Sequence, residues 1–391
     1  MFKKLILLIA ALFWFPSIYA QADSSANPTK SRLRISLLTC GVGEEAWETF
    51  GHTGVRVIDS SKRGPERDVV FNYGMFNGFD KDFEIKFMRG KLLYYVNTQT
   101  FQEFMEEYVE FKRSVFEQEI IMDEPGKEQL RQALETNILP ENRFYKYDFF
   151  FDNCATRIRD IIPKTIQKGF VYGTALPQGA KLSFRDIINQ YFYRKHWTRF
   201  GVNILLGSKI DRLMTNDEIM FLPDYLSKGL QGATVNGQKI STDPVMILDG
   251  SPVLPAGTDQ PLVATIIICL LTIAGITINK LRLLGRVMSF LLLFVTGLLG
   301  FLVLVMWFGT NHQTCADNFN LLWLLPTNLI LAFARPKGRG RYALVAMVLI
   351  FATLLLHILK IQGITLLETG PLLLALLFVY GKMYKNSRIN A

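Results

Sequence analysis

Histidine and cysteine are scarce in this sequence, four of each in 391 residues. Only His52 and His196 fall in the stretch 21–250, which mixes charged, aromatic and apolar residues as a soluble domain does. Few imidazoles are therefore available there for acid–base work. No cysteine directly follows the N-terminal apolar run, which excludes the usual pattern of a chain that is itself lipid-modified. No internal repeat is present, which excludes a repeat array. From Pro261 onward charge becomes sparse and Leu, Ile, Val and Phe dominate in long runs. An average of 50% hydrophobic residues describes neither half of the chain.

The first twenty residues carry a positive start (Lys3, Lys4), an apolar run from Leu5 to Phe15 and a small-residue cleavage site at Ala20 or Ala22. That pattern is an export signal, and the run is short for a membrane span. An uncleaved anchor is the alternative. The formal charge of +9 points to nucleic acid or a membrane surface. Much of the excess lies in short loops between apolar runs, and export separates the chain from nucleic acid, so no nucleic-acid partner is expected.

Five apolar segments, at 262–279, 287–308, 319–334, 342–359 and 364–380, approach the ~20 residues that cross a bilayer. The third is short and interrupted by Pro326. Lys280, Arg282 and Arg286 lie between the first two segments. Arg335, Lys337, Arg339 and Arg341 lie between the third and fourth, and Lys382, Lys385 and Arg388 in the tail. The alternate loops hold only Lys360. The positive-inside rule places the basic loops and the C-terminus in the cytoplasm, and residues 21–260 outside the cytoplasmic membrane. The export signal independently requires the same orientation. The expected layout is a signal peptide at 1–20, a soluble domain at 21–250, a linker at 251–261 and a five-helix membrane domain at 262–391. The outer loop holds Asn311, His312, Cys315, Asp317, Asn318 and Asn320; on spacing alone it is a polar cap over two helix ends. Glu368 is an acid at the edge of the last apolar segment, either functional or interfacial.

In the soluble half, strands are expected at Leu33–Thr39, Gly51–Ile58, Val69–Tyr73, Leu92–Asn97 and Ser114–Met122. In the second, Val55 and Val57 alternate to the core and His52 to the other side. A helix is expected after Pro125, with Leu130, Ala133 and Leu134 as its apolar stripe. Another opens at Asp152-Asn153 and stops before Pro163, and a third is capped by Ser183 and Asp186. Asn236-Gly237 is a hairpin turn. Mixed strands and helices in this order give an α+β domain.

Cys154 falls at the first turn of the second helix, where unpaired N–H groups and the helix dipole stabilise a thiolate. Asn153 caps that turn, and Arg157 adds positive charge. The same N–H groups can hold the oxyanion formed when an acyl carbonyl is attacked. His52 is the favoured base, because His196 sits in the basic aromatic run Tyr-Arg-Lys-His-Trp and reads as a surface residue. Asn72, on the next strand, is the candidate to orient the imidazole. Two other readings stand beside this one. Buried cysteines are usually inert, and Cys40, Cys154 and Cys315 in an oxidising compartment admit a structural disulfide. Cys40 is the rival nucleophile, at a strand end rather than a helix start. Cys269 is a packing residue in the first span.

Leu-Leu-Thr-Cys-Gly (37–41), Phe-Gly-His-Thr (50–53), Asn-Tyr-Gly (72–74) and Phe-Met-Arg-Gly-Lys-Leu (87–92) occur in that order. They are followed by Tyr-x-Tyr-x-Phe-Phe-x-Asp-Asn-Cys-Ala-Thr-Arg (145–157) and Met-Phe-Leu-Pro-Asp-Tyr-Leu (220–226). Together these blocks resemble the Lnb family, lipoprotein N-acyltransferases of Bacteroides-type bacteria, over nearly the whole chain. The order His, polar residue, Cys is similar to circularly permuted papain-like folds of the NlpC superfamily, which includes lecithin retinol acyltransferase. The resemblance implies a Cys154 nucleophile with His52 as base, and no metal or cofactor. It implies that a membrane phospholipid donates an acyl chain through a Cys154 thioester. The acceptor would be the α-amine of a diacylglyceryl-cysteine lipoprotein, in the periplasm at the inner membrane. It also raises the loop carrying His312, Asn318 and Asn320 as a lipid entrance. A peptidoglycan amidase or endopeptidase of the NlpC type and a non-catalytic envelope assembly protein are the alternatives.

Overall fold

The computed structural model describes residues 31–76, 82–166, 169–250, 254–334 and 339–389. The export signal, the start of the linker and the basic residues Arg335 and Lys337 lie outside the described residues. The soluble and membrane halves belong to one compact unit, Leu33–Ala391.

Seven strands form one antiparallel sheet: β1 (Leu33–Cys40), β2 (His52–Asp59), β3 (Asp68–Met75), β4 (Leu93–Thr100), β5 (Val115–Glu119), β6 (Phe144–Lys146) and β7 (Val245–Leu248), in the spatial order β7-β5-β1-β2-β3-β4-β6. β1 lies inside the sheet and is buried on both sides: Ser36 and Thr39 are buried with its apolar residues, and only Arg34 is exposed. Its Leu33, Ile35 and Leu37 enter the main core with Val55, Val57, Phe71 and Tyr73. Leu38 and Cys40 face a second, smaller core with Val70, Phe104 and Tyr108. The five expected strands are present within a few residues. The two additional ones, β6 and β7, have three and four residues and lie at the sheet's edges, too short for a period of two to register.

Helices cover both faces. α1 (Phe83–Met88) and α2 (Phe101–Glu110) follow strands β3 and β4, and α3 (Glu124–Asn137) follows β5. α2 opens with a Thr100–Glu103 capping box and buries Phe104 and Tyr108. α4 (Cys154–Thr165) packs against β2, β3 and α3. It continues through Pro163 instead of stopping before it. The proline cannot donate to the carbonyl of Arg159, and the Tyr172 hydroxyl donates to that oxygen at 2.8 Å in its place. Ser183 and Asp186 cap α5 (Phe184–Tyr191) as expected. α6 (His196–Leu205) and α7 (Pro223–Gln231) complete the domain. Asn236 and Gly237, both at positive φ, turn a small ribbon of Thr234–Val235 and Gln238–Lys239.

The membrane half comprises α8 (Gln260–Thr277), α9 (Arg282–Phe308), α10 (Thr327–Phe333), α11 (Arg339–Ile358) and α12 (Leu366–Ile389). Four described helices are long and apolar enough to cross a membrane, not the five expected. The third apolar segment is a 3-10 turn at Phe319–Leu322 followed by the seven-residue α10. Gly297 and Gly300 of α9 admit its backbone closely: a Cβ on Gly300 would stand 2.0 Å from the carbonyl oxygen of Leu324. Buried Asn328 accepts from Tyr342 and Tyr380, each at 2.8 Å, and donates to Thr296. Irregular backbone is tolerated at such a depth only where protein surrounds it.

The two halves are joined through α6. Asn318 donates to the carbonyls of Ile204 and Leu205, and Asn320 to those of Asn203 and Ile204, closing the C-terminal end of that helix. Arg199 of α6 pairs with Asp259, the cap of α8, and with buried Glu368 of α12. Glu368 is thus the partner of a cation, which accounts for an acid in an apolar segment.

Candidate active site

The approach to Cys154 is set by a tight loop. Asp148 Oδ1 accepts the N–H groups of Phe150 at 2.9 Å and Phe151 at 3.1 Å. A reciprocal backbone pair between Asp148 and Asp152 closes the turn. Asn153 then caps α4: its Oδ1 accepts from Thr156 N–H at 2.9 Å, while its Nδ2 donates to the carbonyls of Phe149 and Phe221. The buried amide therefore fixes where the helix begins and which way Cys154 points. The backbone N–H groups of Cys154, Ala155 and Thr53 are directed at the Cys154 sulfur. Thr53 is the residue after His52, so the sulfur sits against the start of β2.

The β3–β4 ladder shifts register between Asn72 and Met75, and Gly74 in this bulge has φ +84°. Its backbone packs against the cysteine: a Cβ there would lie 3.7 Å from Cys154 Cβ and 3.9 Å from the Tyr145 hydroxyl. The Tyr145 side chain is 6% exposed, and its hydroxyl, beside the Gly74 backbone, donates to no described acceptor. Tyr147 also borders the thiol and stacks on Tyr94 at 4.2 Å, which meets the half-exposed Phe76 edge-on at 5.4 Å. A line of rings thus runs from the surface to the sulfur.

His52 Nε2 lies 2.7 Å from Asn72 Oδ1, and Asn72 Nδ2 donates to Gln99 Oε1 at 2.8 Å. The amide orientation makes Nε2 the protonated nitrogen and leaves the lone pair on Nδ1. Nδ1 is the atom that would take a proton. No hydrogen bond joins this imidazole to the Cys154 thiol in the resting structure. Burial, with the charge of Arg113 added, pushes His52 down to about 4 against the pull of Asn72. Burial pushes Cys154 up to about 11, against its three N–H groups. Dehydration of the sulfur thus opposes the helix start, and both shifts favour a neutral pair at rest.

Arg157 does not supply free charge either. It holds Asp152 through two hydrogen bonds of 2.6 and 2.8 Å and lies 3.8 Å above the Tyr145 ring. Its place is to clamp the loop and the tyrosine beside Cys154. Cys40 stands directly across the β1–β2 ladder from His52. It is fully buried, and its thiol is pushed up to about 12 by that burial while Tyr108 donates to it. All four cysteines are free, so the disulfide alternative does not hold.

His196 is half-buried, not a surface residue: its Nε2 meets the carbonyl of Ala256 at 2.9 Å. In the 309–320 loop, His312 Nε2 contacts the carbonyl of Phe87 at 2.9 Å. Asn318 and Asn320 are buried and spent on the end of α6, so they do not line an opening. Phe151, three residues before Cys154, instead lines a cleft with Gln313 and Thr314 of this loop. Tyr145 and Gln99 are the site residues that spacing did not reveal. The tyrosine stands inside the Tyr-x-Tyr-x-Phe-Phe block, but only its burial and its undonated hydroxyl proton distinguish it. Among the described residues no cluster of three or more His, Cys, Asp or Glu side chains could hold a metal.

Two family models match the chain: the Lnb N-terminal periplasmic domain over residues 20–191 and the Lnb transmembrane domain over residues 256–388. Between them they cover most of its length. Neither the curated proteins nor the solved structures gave a match.

Proposed function

The chain belongs to the Lnb family, with a periplasmic and a transmembrane domain, and from that premise we propose that it is a phospholipid-dependent lipoprotein N-acyltransferase of the inner membrane. The periplasmic domain would be a permuted papain-like catalytic unit at 21–250, and the membrane domain, at 262–391, would end in the cytoplasm.

In this reading His52 Nδ1 takes the Cys154 proton as the sulfur attacks an acyl ester carbonyl of a phospholipid. The carbonyl oxygen is received by the N–H groups of Cys154 and Ala155, with the Tyr145 hydroxyl as a further donor. The tetrahedral intermediate collapses. Imidazolium returns its proton to the departing lysophospholipid alcohol, and a thioester remains. The neutral α-amine of a diacylglyceryl-cysteine then attacks that thioester. The new amide forms, the amine's proton passes to His52 and on to sulfur, and the thiol is regenerated. Asn72 and Gln99 hold the imidazole in the tautomer this cycle needs. A neutral pair at rest favours the scheme, because charge appears only where N–H donors await it.

The observation that carries this reading is the position of the nucleophile's turn. Phe151 shares a cleft with Gln313 and Thr314, and a line of aromatic rings leads from the surface to Cys154. Both substrates are amphiphiles held in the outer leaflet, so a thiol anchored at that surface gains by proximity.

The test uses the full chain in nanodiscs with an isotope-labelled phospholipid and a diacylglyceryl-cysteine peptide. Labelled amide on the peptide, with an equal amount of lysophospholipid, is the expected result. An unmodified lipopeptide together with cleavage of cell-wall peptides would replace the reading with a peptidoglycan hydrolase.

A further inference from the structure

α1 is a short helix that contributes no described side chain to either core. Its Ile85, Phe87 and Met88 are 53%, 53% and 56% exposed, so more than half of each is left uncovered. Scattered exposed apolar residues are ordinary, but three on one six-residue helix form a patch.

The position of that patch is fixed by contacts to the membrane half. The carbonyl of Arg89 accepts from the backbone N–H of Asn311 at 2.9 Å, and the carbonyl of Phe87 meets His312 Nε2 at 2.9 Å. Gly90, at φ +63°, brings its backbone so close that a Cβ would lie 3.2 Å from the carbonyl carbon of Asn311. These residues follow the end of α9, a membrane-length helix whose last two side chains, Trp307 and Phe308, stack at 4.8 Å. Aromatic rings at a span's end mark the headgroup boundary. Asn311 is three residues beyond Phe308, at most about 10 Å of extended chain. α1 therefore lies at the depth of that boundary, beside the end of α9. Arg89 and Lys91, both exposed, follow the patch where headgroup phosphates would stand.

We propose that α1 is a lipid-contact element: Ile85, Phe87 and Met88 lie in the acyl–headgroup boundary of the periplasmic leaflet, with Arg89 and Lys91 at the phosphates. The occupant is phospholipid of the same bilayer that the apolar helices span. Interfacial helices bury their apolar face by about 5–10 Å in this way. The contact holds the periplasmic domain at a fixed height and tilt, independently of the reaction it performs.

The experiment places p-benzoylphenylalanine at position 87, at position 88 or at position 171 of the full chain in phosphatidylcholine nanodiscs. Val171 is the control, 62% exposed on the two-residue strand Phe170–Val171 that pairs with Thr234–Val235. After irradiation, intact mass should show phosphatidylcholine adducts at 87 and 88, and at least tenfold less at 171. Equal lipid adducts at all three positions, no lipid adduct at 87 and 88, or crosslinks there to a second copy of the chain would each overturn the proposal.

Discussion

Cys40 and Cys154 are both buried thiols, both pushed up by dehydration, and both beside the start of β2, Cys40 across from His52 and Cys154 against the N–H of Thr53. They differ in what stands around the sulfur. Cys40 ends a strand directly across from His52, and its thiol accepts from the Tyr108 hydroxyl in the field of Arg113 and Glu107, with no described backbone N–H directed at it. Cys154 opens a helix, receives three backbone N–H groups and borders a Tyr145 hydroxyl that is free to donate. Proximity to a base does not make a nucleophile. A site must also receive the charge that leaves the thiol, and only the helix start has unsatisfied donors to do so.

The largest effect expected from breaking this contrast is at the base. His52→Ala should slow acyl-thioester formation by about 10²–10⁴, the usual contribution of a positioned base. It is read by quenched-flow mass spectrometry, and a loss under threefold would remove His52 from proton transfer. pH sharpens the same point. Burial pushes Cys154 up to about 11 and His52 down to about 4. Alkylation of Cys154 by the neutral reagent iodoacetamide should therefore rise nearly tenfold per pH unit from 7 to 10, following thiolate alone. A plateau beginning below pH 7 would mean a thiolate–imidazolium pair at rest. Thioester formation should fall only as pH drops toward 4, where protonated His52 no longer accepts a proton. Transfer to the lipopeptide should already fall below about pH 8, where its α-amine is protonated.

Tyr145→Phe should lower the acylation rate by roughly tenfold while leaving alkylation of Cys154 unchanged, since backbone donors remain in the site. An equal fall in both rates would point to packing instead. Asn153→Ala removes the cap of α4 and should cost about 0.5–2 kcal/mol of stability, seen as a lower unfolding midpoint. The smallest effect is expected at Cys40→Ala, which should change acylation less than threefold.

Much of the contrast is legible in the sequence. Alternation at Val55 and Val57 assigns the side of His52, and the Asn153 cap assigns the helix start. The sequence pattern cannot weigh burial against a helix dipole, so it registers the helix start that favours a thiolate and not the dehydration that favours the thiol. Arg157 likewise reads as a free charge until Asp152 is seen across the turn. In the membrane half, hydropathy over 319–334 registers apolar residues. It is blind to Asn318, Asn320 and Asn328, whose hydrogen bonds hold a broken segment between neighbours. α1 has six residues, too few for a helical period, and its meaning lies in contacts to residues more than two hundred positions away.

The most direct measurement is the intact mass of the full chain after incubation with phospholipid vesicles, compared for wild type, Cys154→Ala and Cys40→Ala. A hydroxylamine-labile fatty-acyl adduct on wild type and Cys40→Ala, and none on Cys154→Ala, is the expected result. An adduct that survives Cys154→Ala and vanishes with Cys40→Ala would make the strand-end thiol the nucleophile and contradict the assignment.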